Sequence, residues 1–88
     1  MYETDEIQAM QESINSGFCW QAEGYYGRKA MSFIEAGYCV LGPNIVSGGY
    51  GSPVGSRYDV VAGTKGSIDY AREQQPEFWA GRSVDWAD

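Results

Sequence analysis

The chain reads as one mainly α-helical domain over residues 1–88, with a long glycine-rich loop inside it and at most a small two-stranded sheet. Three observations carry this. Apolar residues recur at helical spacing near 4–16 and again near 25–36, each run closed by a glycine. The stretch 42–67, GPNIVSGGYGSPVGSRYDVVAGTKGS, has no helical period and is too polar for a core and too aromatic for a plain linker. Ser67 then opens a third helical run over 68–75. A larger sheet than two short strands would move the class to α+β, the alternative.

In the first run Ile7, Met10 and Ile14 fall on one helical stripe. Thr4 is the expected N-cap, Asp5 and Glu6 suit the positive end of the helix dipole, and Gly17 supplies a left-handed stop. Phe18, Cys19 and Trp20 follow as an apolar anchor, with Trp20 expected in the core. Glu23 and Gly24 make a turn, and the second helix buries Ala30, Met31, Phe33 and Ile34 before Gly37 ends it. These two helices form a hairpin over about residues 4–36. Tyr38, Cys39, Val40 and Leu41 read as a buried extended segment, expected to pair with 58–62. After 68–75, Pro76 stops the helix or opens a last short one through Glu77, Phe78, Trp79 and Ala80, and Trp86 is expected to dock from the tail.

Charge is unevenly spread. Between residues 24 and 67 four bases face two acids, a net +2, while the remaining ends carry two arginines against ten acids, a net −8, together making the −6 of the chain. Such a balance argues against duplex nucleic acid as a partner but leaves room for a small anion held by the middle. The acidic N-terminal stretch has no apolar run of signal or membrane length, so a cytoplasmic protein without membrane contact is expected. Thirteen aromatic rings are many for 88 residues, which predicts a homo-oligomer.

The chain has no histidine, and Cys19 and Cys39 lie twenty residues apart, so zinc spacing, a redox dithiol motif and a Cys–His nucleophile all fail. Glu23, Glu35 and Asp59 have no recognisable pairing. The expectation is therefore no enzyme, no metal and no cofactor. Two kinds of binding site remain. An anion-binding set comprises Arg28, Arg57, Thr64, Lys65 and Ser67, with Tyr50 or Tyr58 stacking on a base. Each member has a structural alternative: residues 63–67 also read as a glycine turn with a serine cap, Arg57 also as a partner for Asp59 or a C-terminal acid, and Arg28 as solvated or paired with Glu23. A partner-binding set comprises Tyr25, Tyr26, Glu73, Glu77, Trp79 and Trp86, suited to a more basic protein. DNA mimicry ranks last, because the acids are too sparse to copy a phosphate array.

The phrases Ile14, Asn15, Ser16, Gly17; Trp20; Glu23, Gly24; Gly27, Arg28; Ala30, Met31; Ile34, Glu35, Ala36, Gly37; Leu41, Gly42; Ser56, Arg57, Tyr58, Asp59, Val60; and Gly63, Thr64, Lys65, Gly66, Ser67 follow one another in order. In this the chain resembles, over roughly residues 13–70, a group of small bacteriophage and prophage proteins of unassigned activity. Where those commonly carry an aromatic-Gly-Asn turn and a proline before Ser-Arg, this chain has Tyr50, Gly51, Ser52 and Gly55, which implies a more mobile loop or a different ligand. The resemblance implies a phage accessory protein in an infected bacterial host cell. Such a protein would inhibit a host defence-related protein or, alternatively, sequester a nucleotide or cyclic-nucleotide defence signal.

Overall fold

The computed structural model describes residues 3–21, 24–47 and 53–82. Along the chain lie α1 (Thr4–Ser16), α2 (Phe18–Gln21), α3 (Gly24–Ala36), β1 (Val46–Ser47), β2 (Pro53–Val54), α4 (Ile68–Gln74) and α5 (Pro76–Trp79), a mainly α fold. No helix is long and apolar enough to cross a membrane among the described residues.

Helix α1 buries the expected stripe of Ile7, Met10 and Ile14, together with Gln11. Its N-cap is Glu3 rather than Thr4, and no side chain caps it, so Asp5 and Glu6 in the first turn supply the favourable charge instead. The helix stops at Gly17, whose φ of 84° suits glycine and whose N–H bonds the Ile14 carbonyl. Phe18, Cys19 and Trp20, expected as one anchor, form the single turn of α2. Successive residues there point about 100° apart, so they cannot all face inward. Cys19 is buried, Trp20 packs partly buried on the core, and Phe18 is 59% exposed. Helix α3 buries Ala30, Phe33 and Ile34, but Met31, expected with them, is 38% exposed because it lies one step round the helix from Ala30 on the outer edge of that face.

The largest departure concerns residues 38–41. No strand pairs with them, and 58–62 is built of turns and bends. Val40 instead meets the side-chain amide of Gln11 at full reach: Gln11 Nε2 donates to the Val40 carbonyl at 2.9 Å, and the Val40 N–H donates to Gln11 Oε1 at 2.9 Å. One side chain thus does the pairing that a neighbouring strand would do for both backbone groups. Leu41 N–H donates to the Gly66 carbonyl at 3.0 Å. The Leu41 carbonyl accepts from Arg57 Nε at 2.7 Å. The small sheet forms elsewhere, as β1 against β2, antiparallel, with Val46 opposite Val54 and Ser47 opposite Pro53.

The main core joins Ile7, Met10, Ile14, Cys19, Ala30, Phe33, Ile34 and Cys39, and a second cluster joins Val40, Ala71 and Trp79. Each fully buried Ile, Val or Phe contributes about 1.5–3 kcal/mol of transfer free energy. Helix α4 begins at Ser67 as expected, with Ser67 Oγ accepting from the Tyr70 N–H at 3.1 Å. It sits directly on the end of α3: a β carbon at Gly37, where φ is 88°, would stand 2.5 Å from Gln74 Cβ. Pro76 opens α5, whose Trp79 is buried and donates its indole N–H to the Gly37 carbonyl at 2.7 Å. Trp79 therefore locks the C-terminal helices onto the core and is unavailable for the partner-binding surface expected of it.

Candidate functional site

Of the proposed anion ligands, Arg57 and the turn of residues 63–67 both bond Leu41, while Arg28 lies apart on α3. Arg57 is 4% exposed and lies inside the fold, where Nε donates to the Leu41 carbonyl at 2.7 Å and one terminal nitrogen donates to Asn15 Oδ1 at 3.1 Å. Asn15 also accepts from Gln11 Nε2 at 2.9 Å, so Gln11, Asn15 and Arg57 form one partly buried network joining α1, residues 38–41 and the loop. The Asp59 carboxylate, one alternative partner for Arg57, accepts from the Ser56 N–H at 3.1 Å and the Ser56 hydroxyl at 2.8 Å. Lys65 reaches Glu35 at 3.5 Å across an exposed pair. Arg28 is exposed and folds back along α3, one terminal nitrogen 3.0 Å from where a β carbon of Gly24 would be. Seven residues of helix, about 10 Å, separate Arg28 from the Glu35 that Lys65 engages.

Residues 63–67 form the glycine turn that was the structural alternative. Ser67 Oγ accepts from the Gly63 N–H at 3.1 Å and donates to the Thr64 carbonyl at 2.7 Å, while Thr64 Oγ1 donates to the Val61 carbonyl. The Thr64 and Ser67 hydroxyls are therefore engaged in closing the turn. Tyr58 is 65% exposed, its ring 5.9 Å from the Arg57 guanidinium carbon. Tyr50 lies outside the described residues.

The partner-binding candidates divide between the two ends of α3. Glu73 on α4 and Glu77 on α5 are exposed at one end, where α4 meets Gly37. Tyr25 and Tyr26 open the helix at the other end, about 16 Å away along eleven residues. Trp86 and Glu23 fall outside the described residues. At the tyrosine end the structure adds a residue that sequence reasoning placed inside. Phe18 projects outward with its ring 6.1 Å from Tyr26, and Tyr26 stands 5.4 Å edge-on to Tyr25. These rings are 59%, 43% and 57% exposed for Phe18, Tyr26 and Tyr25, so the cluster is a surface rather than a core. Lys29 Nζ lies 6.0 Å from the centre of the Tyr25 ring.

Beside the rings runs an open groove of about 200 Å³ between α1 and α3. Glu6, Ala9, Met10 and Ser13 form its α1 wall, at the i, i+3, i+4, i+7 spacing of one helix face, and Phe18, Tyr26 and Lys29 form the other side. Its lining is mostly apolar, with Glu6 and Lys29 on opposite walls.

Burial pushes the Cys19 thiol up to about 11, opposed by a Ser13 hydrogen bond, and burial with the neighbouring Cys19 pushes Cys39 up to about 12. Both therefore stay protonated and poorly nucleophilic at neutral pH. Cys39 Sγ lies 3.6 Å from the Ile7 carbonyl in the core. Every buried side-chain nitrogen and oxygen among the described residues has a hydrogen-bond partner, so none of them marks a ligand position. No protein-family model, curated protein or solved structure matches the chain.

Proposed function

We propose that the protein acts without catalysis, by binding a partner protein through the face made by Phe18, Tyr25 and Tyr26. In keeping with the phage resemblance, the partner is a host defence-related protein that is inhibited by being covered. The observation that carries this is the exposed, edge-to-face ring cluster beside an apolar groove. Large aromatic side chains left in water forgo burial that the fold could use, and rings of this kind dominate the energetics of protein interfaces. The acidity of α1, with Asp5, Glu6 and Glu12 exposed and no basic residue, favours a partner surface more basic than the protein itself. The nucleotide-sponge alternative has less support, because Arg57 and Ser67 are engaged within the fold and Lys65 is paired with Glu35 at the surface.

The experiment compares the native chain with Phe18→Ala and Tyr26→Ala for stoichiometric retention of a protein from bacterial lysate, alongside thermal shift with nucleotides and cyclic dinucleotides. Retention by the native chain and loss in both variants is the expected result. Stabilisation by one nucleotide class, with no protein retained, would replace docking by the sponge.

A further inference from the structure

Resting on that docking reading, the groove also indicates what kind of element fills it. Both walls are helical, and the α1 wall runs from Glu6 to Ser13, about 10 Å or two helical turns. Two neighbouring helices with an open furrow between them accept a third helix, whose side-chain ridge enters the furrow. A partner strand adding by backbone pairing would need a sheet edge, and the strands among the described residues are two residues long. The furrow's 200 Å³ suits one large apolar side chain, with Phe18 in its lining.

Charge selects the occupant further. Glu3, Asp5, Glu6 and Glu12 are the charged residues of α1 and its cap, all acidic and all exposed. Glu6, in the groove wall, and Lys29, on the opposite side, are not paired with each other. A second copy of this chain would bring a further charge of −6. We propose that the groove receives a cationic amphipathic helix of the partner protein. Its apolar face lies over Met10 and Ala9, its lysine or arginine flank meets the acids of α1, and its opposite flank passes Lys29. The net charge of the protein then aids encounter, whereas against an acidic helix it opposes it.

Three synthetic peptides of equal length test this, sharing apolar residues at i, i+3, i+4 and i+7. One has lysine flanks, one glutamate flanks, and one lysine flanks with a central proline. Fluorescence anisotropy with the full chain should show the lysine peptide binding at least about tenfold more tightly than either control, as steering and preorganised helix packing require. It should gain helicity on binding, and Glu6→Lys and Phe18→Ala should each weaken it about tenfold without altering the protein's own circular dichroism. Equal binding of the glutamate or proline peptide overturns the proposal, as does absence of binding by all three. Light scattering that shows a dimer dissociated by Phe18→Ala also overturns it, since the occupant is then a second copy. Lysate capture separates the two claims. Capture lost in Phe18→Ala while no lysine peptide binds sinks the helix alone, whereas capture unaffected by Phe18→Ala sinks the docking face itself.

Discussion

Gln11 is the residue whose replacement should cost the fold most for its size. It is 2% exposed, and its amide satisfies both backbone groups of Val40, itself 0% exposed, while donating also to Asn15. Gln11→Met keeps the side-chain length but leaves the Val40 N–H and carbonyl buried without partners, at about 1–3 kcal/mol each, or roughly 2–6 kcal/mol in all. Gln11→Ala adds a cavity beside Val40 and should be worse. A domain of this length has a total stability of about 4–13 kcal/mol, so either variant removes a large share of it. Urea denaturation followed by circular dichroism measures the difference, with the slope required to match the native chain so that midpoints compare stability alone. A Gln11→Met protein within about 0.5 kcal/mol of native would refute the reasoning. It would mean that residues 38–41 find other partners at little cost and that the amide is not what holds them.

The same denaturation assay separates the two cations that sequence alone grouped together. Arg57→Met should cost about 2–4 kcal/mol, because the Leu41 carbonyl and Asn15 lose a charged donor inside the fold. Lys65→Ala, at an exposed pair, should change stability by less than about 0.5 kcal/mol. Ser67→Ala should cost about 1 kcal/mol through loss of the α4 cap. Both thiols should resist a thiol-reactive disulfide reagent at pH 8 until urea unfolds the chain. Because folding raises their pKa values from the ordinary 9.0 to about 11 and about 12, their contribution is complete below pH 9 and is lost as pH rises through those values. A thermal midpoint that climbs between pH 9 and pH 11 in the native chain, and not in a Cys19→Ala, Cys39→Ala double variant, would contradict this.

The parts of the fold legible in the sequence were those governed by local rules. The stripe of Ile7, Met10 and Ile14 marked α1, and the glycines at 17 and 37 marked the helix ends. Ser67 marked the start of α4 because its cap bond reaches only three residues ahead. What was hidden depended on contacts between distant residues. A glutamine standing in for a strand leaves no period, so residues 38–41 read as half of a two-stranded sheet when their partner is Gln11, twenty-nine positions before Val40. Arg57 read as an anion ligand for the same reason, since Leu41 and Asn15 are distant in sequence. Trp79 read as a surface anchor because its hydrogen-bond partner, the Gly37 carbonyl, is forty-two residues earlier. Phe18 reads from sequence as part of one apolar anchor with Cys19 and Trp20. The signal that points otherwise is that Gly17 and the short α2 turn admit only Cys19 of the three to full burial.

The docking face can be tested apart from the fold because its rings lie outside the core. Phe18→Ala and Tyr25→Ala should leave the urea midpoint within the range of ordinary surface substitutions, about 0.5 kcal/mol, since both side chains are more than half exposed. The decisive measurement is therefore the Phe18→Ala, Tyr25→Ala double variant taken through denaturation and partner retention in parallel. Native-like stability with retention lost is the predicted result. Native-like stability with retention unchanged would contradict the account, because the exposed rings would then have no part in binding.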